Sequence, residues 1–343
     1  MDIPPGAAAT AEPRAGDAPR SSASSSRAPE SSAPQSCPPP SGTQWTIAAH
    51  GHRAVLVEVG GGLRHYEAGG AEIVDGYGAD ELCPGSAGKV LAPWPNRIRD
   101  GNYRFGGIPR QLPLTEPTRH NAIHGLASWL RWECQESGAD TVTLAVELPA
   151  QPGYPWPLRL RTRWSVGPRG LRADHEAVNL GTEPCPFGLA AHPYLRLPGV
   201  AVDDLLLCVP ARTRLLLDSR LLPIGAAKVA GSGFDFTRPR RIGGTALDTA
   251  FGDLIREPDG RSAVVLTAPD GPAAVAVWAD RAFGWWQVFT ADSLPAPRHR
   301  RSVAVEPMTC PPDAFRSGRD VVTLAPGETW RGSWGIEPRP GEE

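Results

Sequence analysis

From Trp45 onward, apolar residues tend to alternate with polar ones in short runs that glycine and proline interrupt. The clearest are 141–148 (TVTLAVEL) and 158–164 (LRLRTRW). A period of two sends successive side chains to opposite faces of a strand, so each run has one buried and one wetted face. The same pattern predicts strands over 55–59, 171–178, 205–209, 263–267, 274–278, 286–290, 303–306 and 329–336. No stretch keeps apolar residues at a spacing of 3.6 between helix caps, and no short repeat marks a propeller or solenoid. The expectation is an all-β chain built as one large antiparallel β-sandwich.

Residues 1–42 break this pattern. They are dominated by Ala, Pro, Ser and Gly, with a serine-rich run at 21–26 and three prolines at 38–40. Such a segment lacks the apolar surface needed to offset its ordering entropy, so it is expected to be a disordered extension to a domain over 43–340. The 343-residue length allows that domain to be single, and 38 glycines with 38 prolines fit many turns better than a helical bundle. A formal net charge of −2 gives no field that would gather nucleic acid or an anionic membrane. The expected partner is a small, mostly neutral molecule, and the chain is read as a cytoplasmic monomer or weak homodimer. Neither a signal-peptide core nor a spanning apolar run is evident. Six scattered cysteines without a C-x-x-C pair give no zinc or thioredoxin-like signature.

Several segments carry candidate chemistry. In 186–194 (PFGLAAHPY) a stretch of small residues runs into His192, and Pro193 confines the histidine backbone to extended conformations. In 303–309 (VAVEPMT) an alternating strand ends on Glu306, and Pro307 is expected to stop the ladder there, which would leave the carboxylate at a sheet rim with little water. Partial desolvation raises a carboxylate pKa toward that of a working general base. His120 and His124 stand four apart in a segment poor for a helix, so a polar loop offering His124 to a ligand fits better than a metal site. Asn96 and Arg97 form a polar pair in a proline-bracketed segment, where Arg97 could aim its donors at hydroxyl groups. Asp248 near Phe251 offers an acceptor beside an aromatic ring, a combination suited to a sugar. Trp129, Trp285 and Trp286 are candidate stacking platforms, and the 298–301 run (RHRR) reads as a solvated loop. Taken singly, each of these residues also fits a structural role: a packed histidine, a rim glutamate, a surface arginine, an aspartate capping a turn.

In order along the chain, the segments PWPNRIRDGNYRF, NAIHGL, FGLAAHPYL, ALDTAF and VAVEPMTCPPDAF resemble the markers of the aldose 1-epimerase, or galactose mutarotase-like, family. The resemblance implies a large antiparallel β-sandwich that binds an aldose on the concave face of a sheet, needs no metal or organic cofactor, and interconverts sugar anomers. It also implies that Glu306 is the catalytic base and His192 the catalytic acid. By the same resemblance His124 lies near the ring oxygen, while Arg97 and Asp248, with Asn96 beside them, hold hydroxyls. Many hexose mutarotases carry Phe-Asn-Leu after the tyrosine of the histidine motif, whereas here Tyr194 is followed by Leu195, Arg196 and Leu197. That departure leaves the sugar open. Two other readings compete: a non-catalytic carbohydrate-binding protein of the same fold, and a glycoside hydrolase using Asp248 and Glu306.

Overall fold

A computed structural model describes residues 38–339 apart from Pro272, so most of the 1–42 extension lies outside the described residues. Within them the chain forms two large antiparallel sheets. The first has twelve strands, and its main path runs Gln44–Ala49, His52–Val57, Leu63–Ala68, Ala71–Val74, Tyr194–Leu195, Val303–Met308, Trp285–Phe289, Asp248–Leu254, Ala211–Leu217 and Pro223–Lys228. The short strands Val90–Leu91 and Ala190–Ala191 join beside Val303–Met308. The second sheet has nine strands with Leu158–Gly167, Gly170–Asn179 and Thr329–Arg339 at its centre. Every strand expected from the alternation is present, most with shifted ends and Thr141–Leu148 with the ends expected. The described helices are 3₁₀ turns and the four-residue α-helix Ala314–Ser317. No helix is long and apolar enough to cross a membrane.

The core lies between the two sheets and draws on both: Leu56, Tyr66, Phe251, Trp286, Val303 and Val305 from the first, Leu144, Leu160, Trp164 and Trp334 from the second. Alternation then fixes what the other face of the first sheet carries. With Val303 and Val305 in the core, Ala304, Glu306 and Met308 point away from it. With Trp286 and Val288 in the core, Trp285, Gln287 and Phe289 do the same. Cross-strand register sets Glu306 beside Gln287 and Gln287 beside Ala250.

Pro307 does not end its strand, contrary to the sequence expectation. The ladder continues to Met308, and Glu306 is 2% exposed in the middle of the sheet rather than at its rim. The backbone N–H groups of Val305 and Thr309 donate to Pro193 and Leu189 along one edge of the strand. The donor that Pro307 lacks would fall between them, at the gap between two short neighbouring strands, so proline costs the ladder little there.

Candidate active site

Segments outside the sheet cover its second face and complete the site. The Arg97–Arg99 and Asn121–Ile123 strands pair with each other, and the His124 amide donates to the Asn96 carbonyl. Both Asn96 and His124 adopt left-handed backbone conformations, with φ of 50° and 62°. Each therefore turns the chain sharply at the end of its strand. Gly88 ties the Val90–Leu91 segment to the site by donating to the His192 carbonyl. Gly125 packs closer still: a Cβ there would stand 2.1 Å from the Ala92 carbonyl oxygen, and its φ is +69°. We expect Gly125→Ala to destabilise the protein by about 3 kcal/mol, because the backbone contact cannot relax by rotating a side chain. Thermal unfolding monitored by circular dichroism checks this, and an unchanged midpoint would refute the packing argument.

Five of the residues singled out in the sequence come together here. His192 Nε2 stands 3.3 Å from Glu306 Oε1, both side chains being almost fully buried. The His124 ring meets the His192 ring edge-on with centroids 5.5 Å apart. Arg97 Nη1 stands 4.0 Å from Asp248 Oδ2. Asn96 is also buried, but its Oδ1 accepts from the Arg97 amide, bracing that arginine from within the chain.

Burial dominates the electrostatics. It pushes the Glu306 carboxyl well above the usual range, and the Asp248 carboxylate adds to this against the opposing pull of Arg97. It lowers His192 to about 4, with Arg97 contributing in the same direction. His124 is lowered as well, by burial first and then by His192 and Arg97. Asp248 is raised by burial, partly offset by Arg97 and by the Gln287 amide that donates to it. Burial thus disfavours the charged form of both partners, and the pair favours a resting state without separated charge. The pocket is too dry to solvate either ion.

Four buried polar atoms of this cluster have no partner within the protein: His124 Nδ1, His192 Nδ1, Gln287 Oε1 and Glu306 Oε2. Leaving such groups unpaired costs about 1–3 kcal/mol each. A ligand rich in hydroxyl groups would satisfy them. A cavity of about 410 Å³ opens beside Asp248, bordered by Phe289, Leu215 and Leu217, with Arg119 and Arg214 on its wall. Among the described residues no group of His, Cys, Asp and Glu is arranged to hold a metal ion.

Other expectations need correction. Phe251 belongs to the inter-sheet core, so Phe289 is the ring that borders the Asp248 cavity. Trp285 and Trp286 are buried, their indole N–H groups donating to Asp320 and Ser262, and cannot serve as platforms. Only Trp129 of the three is exposed, at 57%, and it lies over the Lys89 ammonium. The 298–301 run is not freely solvated: Arg298, Arg300 and Arg301 pair with Glu81, Asp203, Asp292 and Asp75. The departure after Tyr194 lies outside the cluster, since Leu195 is in the core and Arg196 pairs with Glu72.

Three site residues escaped the sequence reading. Gln287 carried a signal, as the polar residue of an otherwise apolar strand (WWQVF) at a position of the same parity as Trp285 and Phe289. Tyr194 stacks on His192 with centroids 4.9 Å apart and donates its hydroxyl to the Gly85 carbonyl. Glu116 accepts from Arg97 through two guanidinium nitrogens, and nothing in its local sequence announces that.

With this geometry in hand, comparison with known proteins is decisive. The aldose 1-epimerase family model matches residues 43–337. The chain belongs to the aldose 1-epimerase family. It is 34% identical over 292 residues to the uncharacterized protein YihR of Escherichia coli K12, covering 85% of this chain and 92% of that one. Its fold is similar to the GalM/aldose epimerase homologue from C. elegans, with a TM-score of 0.78 at 18% identity over 88% of this chain and 99% of that one. It is also similar to the galactose 1-epimerase from Lactobacillus acidophilus, with a TM-score of 0.73 at 22% identity over 86% and 94%.

Proposed function

We propose that this member of the aldose 1-epimerase family interconverts the α and β anomers of an aldose by acid–base ring opening and closure. The observation that carries the reading is the buried His192–Glu306 pair, 3.3 Å apart, with Glu306 Oε2 and His192 Nδ1 both lacking a partner within the protein. Anomer exchange breaks the C1–O5 bond, turns the aldehyde about C1–C2 and closes the ring on the other face. The O1 proton must leave and O5 must gain one, so a single acid–base pair suffices. Moving the shared proton from Glu306 to His192 turns the resting pair into a carboxylate base and an imidazolium acid. Glu306 then takes the O1 proton while His192 protonates O5, and the roles reverse on closure. Arg97, Asp248, His124 and Gln287 would hold the remaining hydroxyls, and Phe289 would cover an apolar sugar face.

The one-proton pair sets the pH dependence. Below the lowered His192 value both groups are protonated and the base is lost; above the raised Glu306 value neither holds a proton and the acid is lost. The expected profile of kcat/KM is a bell whose acid limb falls near pH 4. A limb near 6.5, the ordinary histidine value, would contradict the burial argument.

Exchange NMR on a panel of aldoses tests the function. Anomeric exchange accelerated by the protein for at least one sugar supports it. Sugar binding without acceleration would favour a carbohydrate-binding protein of the same fold. The panel should include aldoses carrying an acidic group at C6, because Arg119 and Arg214 line the cavity beside Asp248.

A further inference from the structure

Arg97 is the cation that pulls on both Glu306 and Asp248, yet the edge it turns toward them is set elsewhere. Its Nε donates to Glu116 Oε2 at 2.9 Å and its Nη2 donates to Glu116 Oε1 at 3.1 Å. This fork consumes one side of a planar guanidinium and leaves Nη1, 3.4 Å from Asn96 Oδ1, as the end that faces Asp248. Glu116 is itself fixed. The Asn121 side-chain amide and Arg119 Nη1 both donate to it, at 2.9 and 3.0 Å, and its own amide donates to the Asn121 carbonyl. Glu116 and Arg97 are both largely buried, with side chains 12% and 10% exposed.

We propose that Glu116 is a positioning residue, which selects the guanidinium edge that Arg97 presents to the sugar and balances the charge of that arginine within the site. This rests on the mutarotase reading and extends it to a residue that does not touch substrate. Glu116 stays ionised: burial raises its carboxyl, but hydrogen bonds from Arg97 and Asn121 and the charges of Arg97 and Arg119 outweigh that and hold it below the ordinary range. Its charge reaches the site, where it opposes the lowering of Asp248 by Arg97. The groups that face Glu306 are His192 and Tyr194 from one segment, with Asp248, Gln287 and Arg97 from others, and His124 lies against His192. Around Glu116 stand Arg97, Arg119 and Asn121, with Arg220 against Asn121. Removing the Glu116 charge therefore leaves Arg97 less neutralised and makes the whole cluster more positive.

Glu116→Gln keeps the shape and removes the charge. Sugar affinity by titration calorimetry is expected to weaken about tenfold, and KM to rise by a similar factor with a smaller change in kcat, because Arg97 contacts hydroxyls in ground and transition state alike. Both limbs of the pH profile should move to lower pH by roughly half a unit. Glu116→Asp, which keeps the charge, should restore the limbs while leaving the affinity weakened. A structural role alone would lower the melting temperature in both variants without moving either limb. A second readout needs neither turnover nor equal stability: the Arg97 Nε–H resonance should appear downfield in the wild type and return toward the free-arginine position in Glu116→Gln. Unchanged affinity, pH limbs and Nε–H resonance in Glu116→Gln would overturn the proposal. Failure of the wild type to accelerate any anomer exchange would instead count against the mutarotase reading, and the affinity and resonance measurements would still decide the role of Glu116.

Discussion

Glu306→Gln is expected to slow anomer exchange by about 10³-fold while leaving the protein as stable as the wild type, or more so, at pH 7. The amide fits the space of the carboxyl but cannot take a proton from O1. The stability expectation follows from linkage. An unfolded glutamate titrates near 4.3, whereas burial raises the folded value well above that. A raised folded value gives stability that is fully present below the unfolded pKa and is lost as pH rises. At pH 7 the wild type therefore lacks that contribution, and the neutral amide avoids the penalty, a gain of about 1 kcal/mol. The difference should shrink as the pH is lowered toward 4. Calorimetric melts of both proteins across that range provide the check. A variant that is markedly less stable at pH 7, or whose deficit appears only at neutral pH, would show that the carboxylate is a structural ion.

His192→Asn should cost a similar factor, about 10²–10⁴ in kcat/KM, and should abolish the acid limb of the pH profile, since that limb belongs to the imidazole. His124 cannot substitute. It is buried, driven toward the neutral form, and meets His192 edge-on rather than standing beside Glu306. Tyr194, stacked on the imidazole, should keep its place because its hydroxyl is anchored to Gly85. Residual activity above about a tenth of wild type, followed by polarimetry, would remove His192 from the chemistry.

The strands were legible because a two-residue period survives wherever one face is buried, and Leu158–Gly167 shows it plainly, while 141–148 alternates in sequence but is buried on both faces over 142–146. What the pattern could not convey was the height of Glu306 within its sheet. Proline after the glutamate reads locally as a stop, and only the pairing of two short neighbouring strands makes position 307 harmless. Burial had the same character. Single-residue reasoning placed Glu306 at a rim with little water, whereas the segments between residues 88 and 126 help bury both Glu306 and His192 within the sheet. Glu116 was hidden because its partner lies nineteen positions away and is chosen by the pairing of Arg97–Arg99 with Asn121–Ile123. The tryptophans misled for the opposite reason: strand parity and register put Trp286 in the core, and composition alone cannot see parity.

The central claim is that His192 and Glu306 act as one unit sharing one proton to exchange anomers. Its most direct test is exchange NMR on a single responsive aldose with four proteins: wild type, Glu306→Gln, His192→Asn and the double variant. A shared unit predicts rapid exchange in the wild type and a double variant about as slow as the slower single one. Losses that multiply in the double variant, or exchange in the wild type no faster than in buffer, would contradict it.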